Sequence, residues 1–137
     1  MVLKFIWTLP QNILGIILLI YFKSKRLIES QKKSGRIRNA TIILIEAKAK
    51  FSGVSLGNWI FVSKSYDDLA TVIKHEEGHC IQSMIFGPLY LFVIGIPSLI
   101  MNLMSSYSMK YGEGLFYDNY YKRWPENWAD KLGNVDR

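Results

Sequence analysis

The sequence predicts a mainly helical α+β protein with a membrane anchor at its N-terminus. Three observations predict this fold class. Residues 5–22 carry no charged side chain, and residues 40–63 contain runs rich in β-branched residues. Both histidines of the chain lie four positions apart in a stretch with helical periodicity. A chain of 137 residues is long enough for one domain.

The N-terminal apolar segment is long enough to cross a bilayer. As a helix, the run from Phe5 to Phe22 would extend roughly 27 Å, close to the hydrocarbon thickness of a membrane. A cleaved signal peptide would need small residues at the end of this run, where the chain has bulky Ile20 and Tyr21. We therefore predict an uncleaved transmembrane anchor over residues 1–22.

A basic stretch follows the apolar segment, and it is predicted to be a juxtamembrane linker over residues 23–38. It contains one acid, Glu29, and seven basic residues: Lys23, Lys25, Arg26, Lys32, Lys33, Arg36 and Arg38. Basic residues beside an apolar span stay on the cytoplasmic side. We therefore expect an inner-type membrane with the bulk of the chain on its cytoplasmic side, contacts with anionic lipid headgroups and no nucleic-acid partner. The single cysteine, Cys80, suits a reducing compartment and is expected to be a small buried residue.

A small β-hairpin is predicted at the start of the domain, which spans residues 39–137. Residues 40–51 are rich in β-branched side chains, and residues 52–58 supply glycines and serines for a turn. A second strand follows, and as an edge strand it could bind an extended substrate by main-chain pairing. This predicted edge strand consists of Trp59, Ile60, Phe61, Val62 and Ser63.

The run "KHEEGHC" is predicted to lie on a helix from about Tyr66 to Phe86, with Ser65 as its N-cap. Residues four apart share a helix face, so His75 and His79 can bind one metal ion. Glu76 lies about 100° round the helix, beside the remaining coordination position. This is the His-Glu-x-x-His arrangement of zinc peptidases.

A third metal ligand must come from a carboxylate, because the chain has no further histidine and Cys80, directly after His79, points away from the shared face. The stretch "RWPENWADKLG" predicts a short helix that begins near Pro125 and ends at Gly133. Glu126 and Asp130 share one face of that helix. We expect Glu126 to bind the metal and Asp130 to accept a hydrogen bond from a ligand imidazole.

A second apolar stretch, free of charged residues, separates the histidines from this helix. A single membrane crossing there would leave His79 and Glu126 on opposite sides. Glycine and proline residues also divide the stretch into pieces too short to span a bilayer. We therefore predict a re-entrant or membrane-associated helical hairpin over residues 87–104. A crossing segment and a soluble core are the alternatives.

The motifs "HEEGH" and "ENWAD" together resemble those of the gluzincin metallopeptidases, HExxH followed by ExxxD. They are most similar to the integral-membrane CAAX prenyl protease and heat-shock membrane protease family. The resemblance implies that His75, His79 and Glu126 are zinc ligands, that Glu76 is the general base and that Asp130 supports a ligand. This chain is much shorter than that family, because one apolar stretch replaces the usual pair of transmembrane helices.

The resulting expectation is a membrane-anchored zinc endopeptidase whose substrates are membrane-associated proteins or peptides. Tyr120, Tyr121 and Arg123 precede the third ligand and are candidates for stabilising the oxyanion. Two other functions remain open. The protein could use zinc only structurally, or it could bind no metal and act as a scaffold or accessory subunit.

Overall fold

The computed structural model describes residues 2–49, 53–111 and 119–136, and it confirms a mainly helical α+β fold. The order of elements is α1 (Val2–Trp7), α2 (Leu9–Ser24), β1 (Ile28–Lys33), β2 (Thr41–Ile45), β3 (Gly53–Leu56), β4 (Trp59–Ser63), α3 (Leu69–Phe86), α4 (Ile96–Tyr111) and α5 (Glu126–Gly133). Short 3-10 turns lie at Ala47–Ala49, Gly87–Leu89 and Tyr120–Lys122, and a π-helical turn covers Leu91–Gly95.

Within the described ranges, the strands form one four-stranded sheet in the order β1-β2-β4-β3. β2 pairs antiparallel with β1 and parallel with β4, while β3 pairs antiparallel with β4. The run of isoleucines in β2 suits an internal strand that is covered on both faces. Lysine-rich β1 lies at one edge, where charge blocks further pairing. The stretch predicted as a linker, residues 23–38, therefore contains an edge strand.

The predicted hairpin is in part wrong, because the strand that pairs with β4 in the hairpin is β3. This strand lies within the stretch predicted to be a turn. The connection is the two-residue turn Gly57–Asn58, between the paired residues Leu56 and Trp59. Gly57 has a φ of +65°, a conformation that such tight turns require and that glycine adopts without strain.

The sheet lies between two helices, and alternate strand residues face each of them. On one face, Ile43, Ile45 and Phe61 pack with Phe22 of α2. The other face packs against α3, and its core includes Cys80, which is fully buried as the sequence predicts. The sheet therefore supports α3, the helix that carries both histidines.

The N-terminal apolar segment differs from the predicted single anchor, because a turn at Thr8 divides it into α1 and α2. Its polar residues are buried against the rest of the protein. The amide of Gln11 donates to the carbonyl of Gly87, and Asn12 Oδ1 accepts from the backbone N–H of Asn58 at 2.8 Å. In the part of the chain that the structure describes, no helix combines the length and apolar character needed to cross a membrane.

The apolar stretch after α3 is not the helical hairpin predicted over residues 87–104. After the 3-10 turn at Gly87–Leu89, the chain forms one helical run that ends with α4 at Tyr111. The expected break at Gly95–Pro97 becomes the π-helical turn Leu91–Gly95. A wider turn accommodates the missing N–H and the bulky ring of a proline inside a helix.

Candidate metal centre

Helix α3 places the two histidines one turn apart, with His75 Nε2 and His79 Nε2 at 3.1 Å. The helix begins later than predicted, because Asp68 rather than Ser65 is its N-cap. The Asp68 carboxylate accepts from the backbone N–H of Thr71 at 3.1 Å, whereas the Ser65 hydroxyl pairs with that of Ser63. Both histidine side chains are buried.

Helix α5 brings Glu126 to the same point. Its Oε2 lies 3.0 Å from His75 Nε2 and 3.3 Å from His79 Nε2. The two helices approach closely because glycines line their interface. A Cβ at Gly78 would overlap the backbone carbonyl of Ala129, and one at Gly133 would overlap that of Lys74. These small residues are therefore required for the carboxylate to reach the histidines.

The far nitrogens of both imidazoles have acceptors, which sets their tautomers. His75 Nδ1 lies 2.7 Å from Asp130 Oδ1, and His79 Nδ1 lies 2.8 Å from Gln82 Oε1. An N–H on each Nδ1 donates to these oxygens, so the lone pair of each neutral ring is on Nε2. Asp130 has the supporting position predicted from the sequence. Gln82 was not predicted, because its spacing from His79 is unremarkable in a helix.

Three lone-pair atoms, the two Nε2 atoms and Glu126 Oε2, therefore converge at separations of 3.0–3.3 Å. Ligand bonds of about 2.0–2.1 Å at a tetrahedral ion place neighbouring donor atoms roughly 3.3 Å apart. Glu126 is completely buried, so its carboxylate is shielded from water at this point. The buried group His75, His79 and Glu126 could hold a metal ion.

The same group strongly perturbs its own protonation. Burial lowers the pKa of His75, but its hydrogen bonds with Asp130 and Glu126, together with the negative charges of Glu76 and Glu126, outweigh burial and raise that pKa to about 9. Burial would raise the pKa of Glu126, yet its interactions with the two imidazoles, above all the hydrogen bond with His75, hold that pKa well below its usual range. Glu126 is therefore an anion at neutral pH. A metal ion that binds here competes with the proton on His75.

Glu76 lies beside this cluster and is not part of it. Its side chain is buried and lines a cavity of about 640 Å³ together with His75, His79 and Glu126. Within the described ranges, Glu76 Oε2 has no hydrogen-bond partner. Burial raises the pKa of Glu76, which makes its carboxylate a better proton acceptor at neutral pH than an exposed one.

The cavity runs along β3, and this overturns the predicted edge strand. Trp59–Ser63, as β4, is internal, with β2 on one side and β3 on the other. It cannot pair with a substrate, because both of its main-chain edges are already used. The free edge of the sheet beside the cavity belongs to β3, and Gly53, Val54, Ser55 and Leu56 all line the cavity.

The three candidates for oxyanion stabilisation lie in different places. Tyr120 lines the cavity, and its side chain hydrogen-bonds to Ser98 and Asn102. Tyr121 packs edge-on against the ring of His75, with 5.2 Å between the ring centroids. The side chain of Arg123 is exposed.

Tyr90 also lines the cavity, and it was not predicted as a site residue because it lies within the apolar stretch. Its side chain is buried, and this burial raises its pKa well above the ordinary value. The phenol is therefore protonated at neutral pH and is a hydrogen-bond donor beside Glu76.

Comparison with known proteins assigns no family. No family model matches the chain, and no curated protein or solved structure is significantly similar to it.

Proposed function

We propose that this protein is a zinc-dependent endopeptidase that acts on membrane-associated proteins or peptides. The observation that carries the proposal is the convergence of His75, His79 and Glu126 beside Glu76, a buried carboxylate whose Oε2 has no hydrogen-bond partner among the described residues. Two imidazoles and one carboxylate match the ligands of catalytic zinc sites, which leave a fourth position for water. A site that bound zinc only structurally would be closed and would not need Glu76.

Zinc at these three ligands would lower the pKa of water and polarise a carbonyl group. The chain itself supplies the proton transfer. Glu76 accepts a proton from the attacking water and passes it to the leaving amine, which requires a carboxylate with a raised pKa and a free oxygen. Asp130 and the Tyr120 phenol assist Glu76 in different ways. Asp130 fixes the His75 ring, and Tyr120 offers a donor to the oxygen that becomes charged.

The free edge of β3 is the proposed binding site for the substrate main chain. An extended peptide can add to this edge as a further strand and so lie along the cavity that contains Glu76. Main-chain pairing of this kind accepts many sequences. Apolar residues from two helices, among them Leu14, Leu91 and Leu99, line the same cavity and favour apolar substrate side chains.

Association with a membrane is supported by the apolar side chains that the fold leaves exposed. On the N-terminal helices, Leu3 is 85% exposed and Ile20 is 62% exposed. On the segment after α3, Phe92 is 70% exposed and Leu103 is 60% exposed. Soluble monomers rarely expose so many large apolar residues on neighbouring elements, whereas proteins that contact lipid do so commonly.

The decisive experiment replaces Glu76 with Gln in the full-length protein. The variant should keep about one zinc per chain, because Glu76 is not a ligand, but should lose hydrolysis because an amide cannot accept the proton. Metal content is measured by atomic spectroscopy. Cleavage is measured by mass spectrometry on a library of unstructured peptides presented with detergent micelles.

Glu77 provides a matched control for this experiment. It is the next residue of α3 and is also buried, but its carboxylate accepts from the Ser34 hydroxyl at 2.5 Å on another side of the helix. Glu77→Gln should retain both zinc and hydrolysis. Hydrolysis by Glu76→Gln at the wild-type rate would disprove the enzymatic role, and zinc without hydrolysis in the wild type would indicate a structural site.

A further inference from the structure

Gln82 connects the second histidine to the segment that carries the carboxylate ligand. It lies on α3, is completely buried and uses both ends of its amide. Its Oε1 is 2.8 Å from His79 Nδ1, and its Nε2 donates to the carbonyl of Pro125 at 3.1 Å. Pro125 immediately precedes Glu126. The Gln82 side chain therefore contacts one ligand, His79, directly and the residue before another, Glu126.

The direction of both hydrogen bonds follows from the chemistry of the partners. The carbonyl oxygen of Pro125 can only accept, so the NH₂ group of the Gln82 amide must face it. The amide oxygen must then face His79, and this oxygen can only accept as well. His79 Nδ1 therefore carries the proton, and His79 Nε2 has the lone pair that faces His75 and Glu126.

We propose that Gln82 is a positioning residue of the metal site, which fixes the tautomer of His79 and the position of Glu126 at the same time. This inference rests on the metal site described under the proposed function, but it does not depend on peptide hydrolysis. Asp130 performs the matching role for His75, with its Oδ1 2.7 Å from His75 Nδ1.

The type of residue at position 82 supports this role. A carboxylate could accept from His79 but could not donate to the carbonyl of Pro125. A hydroxyl would be too short to bridge α3 and the start of α5. The Pro125 carbonyl also accepts from the backbone N–H of Ala129 at 3.1 Å, so the group that would lose its partner without Gln82 is the buried N–H of His79, and leaving it unpaired would be costly. An amide side chain with both a donor and an acceptor fits the two partners.

The test uses the ¹⁵N-labelled full-length protein in detergent micelles and zinc as the only ligand. Long-range ¹H–¹⁵N spectra of the imidazoles report which nitrogen carries the proton, with and without zinc. In the wild type, we expect His79 to be protonated at Nδ1 in both states. Gln82→Met has a similar length but offers no such partner, so His79 should lose its single Nδ1–H tautomer in the metal-free protein.

Zinc affinity supplies the second readout, measured by competition with a chromophoric chelator. Gln82→Met should weaken zinc binding about 10–100-fold, the usual effect of removing a partner of a ligand. Ser83→Ala is the matched control, because Ser83 is equally buried on α3 and its hydroxyl has no hydrogen-bond partner among the described residues. This control should leave both the tautomer and zinc affinity unchanged.

Three results would overturn the inference. The first is a Gln82→Met variant with wild-type zinc affinity and an unchanged His79 tautomer. The second is a proton on Nε2 of His79 in the metal-free wild type, and the third is loss of the tautomer in Ser83→Ala. If Gln82→Met does not fold, Gln82→Glu replaces it. This variant keeps an acceptor for His79, so it should retain the Nδ1–H tautomer, and its loss would count against the proposal. If the wild type binds no zinc, the metal site fails, yet the metal-free spectra still decide the role of Gln82.

Discussion

The protonation of His75 is set by the carboxylates on either side of its ring. Asp130 contacts Nδ1 and Glu126 contacts Nε2, and these hydrogen bonds raise the pKa of His75 to about 9 despite its burial. In the metal-free protein, the charged imidazole therefore contributes stability that is fully present below its ordinary pKa of 6.5. This contribution is lost as the pH rises through about 9.

Zinc binding should accordingly release a proton at neutral pH. The metal needs the lone pair on His75 Nε2, which is protonated below a pH of about 9 in the metal-free protein. We expect the release of about one proton per zinc at pH 7, declining as the pH rises past about 9. The apparent affinity should rise with pH up to about 9 and level off above it. Calorimetry in buffers of different ionisation enthalpy measures this number. A release that does not change between pH 7 and pH 10 would contradict it.

The phenol of Tyr120 should act on the transition state rather than on substrate binding. It lines the cavity, and burial raises its pKa, so it remains protonated and can donate to a developing negative charge. Tyr120→Phe should lower kcat about 100-fold with little change in KM. Tyr121→Phe, at a ring that packs on His75 instead, should have a much smaller effect. Equal losses in the two variants would rule out a specific role for Tyr120.

The packing of α5 on α3 assembles the site from two distant parts of the chain. Their close approach depends on glycines at the interface, because a Cβ at Gly78 would meet backbone atoms of Ala129 that cannot move aside as a side chain can. Arg36, from the loop after β1, also donates to the carbonyl of Leu132 near the end of α5 at 2.7 Å. The sheet and both helices therefore hold the ligands together.

Replacing Gly78 with Ala should separate the two helices. We expect a loss of about 1–3 kcal/mol in the free energy of unfolding, as overpacking usually costs, and a weaker affinity for zinc because Glu126 moves away from the histidines. Denaturant unfolding and chelator competition measure the two effects. Gly95→Ala is the control, since a Cβ there meets its nearest neighbour at an ordinary 3.7 Å. A fully stable Gly78→Ala variant would show that the close contact is unimportant.

The protein as a whole combines a buried polar site with large exposed apolar surfaces and a net charge of +6. Apolar helix faces favour insertion into a lipid interface, and basic residues favour anionic headgroups. Salt distinguishes these contributions, because it screens the attraction of charges but does not weaken apolar contacts.

The full-length protein should float with anionic lipid vesicles and remain bound after a high-salt wash. Leu103→Glu should reduce the salt-resistant fraction several-fold, because it places a charge on an exposed apolar face of α4. Ala70→Glu adds the same charge at an exposed position on α3, and it should leave binding unchanged. Equal binding by Leu103→Glu and the wild type would exclude α4 from the lipid contact.

The sequence by itself was enough to predict which site residues share a helix face, because their spacing along one helix defines their relative positions. His75 and His79 meet because a helical turn brings residues four apart together, and Glu126 and Asp130 share a face of α5 for the same reason. The sequence also placed α3 to within a few residues. The prediction of Ser65 as the N-cap was wrong, because Asp68 lies nearer the first turn of α3 and caps it instead.

Only the tertiary structure decided the features that depend on which elements become neighbours. Strand order made β3 rather than β4 the free edge, since the parallel pairing of β2 with β4 uses main-chain groups that local sequence cannot assign. The apolar N-terminal segment packs against the rest of the protein through Gln11 and Asn12, whose buried partners Gly87 and Asn58 lie far along the chain. The proposed positioning role of Gln82 likewise depends on packing. Its partner Pro125 is 43 positions away, and only the tertiary structure brings it within hydrogen-bonding distance.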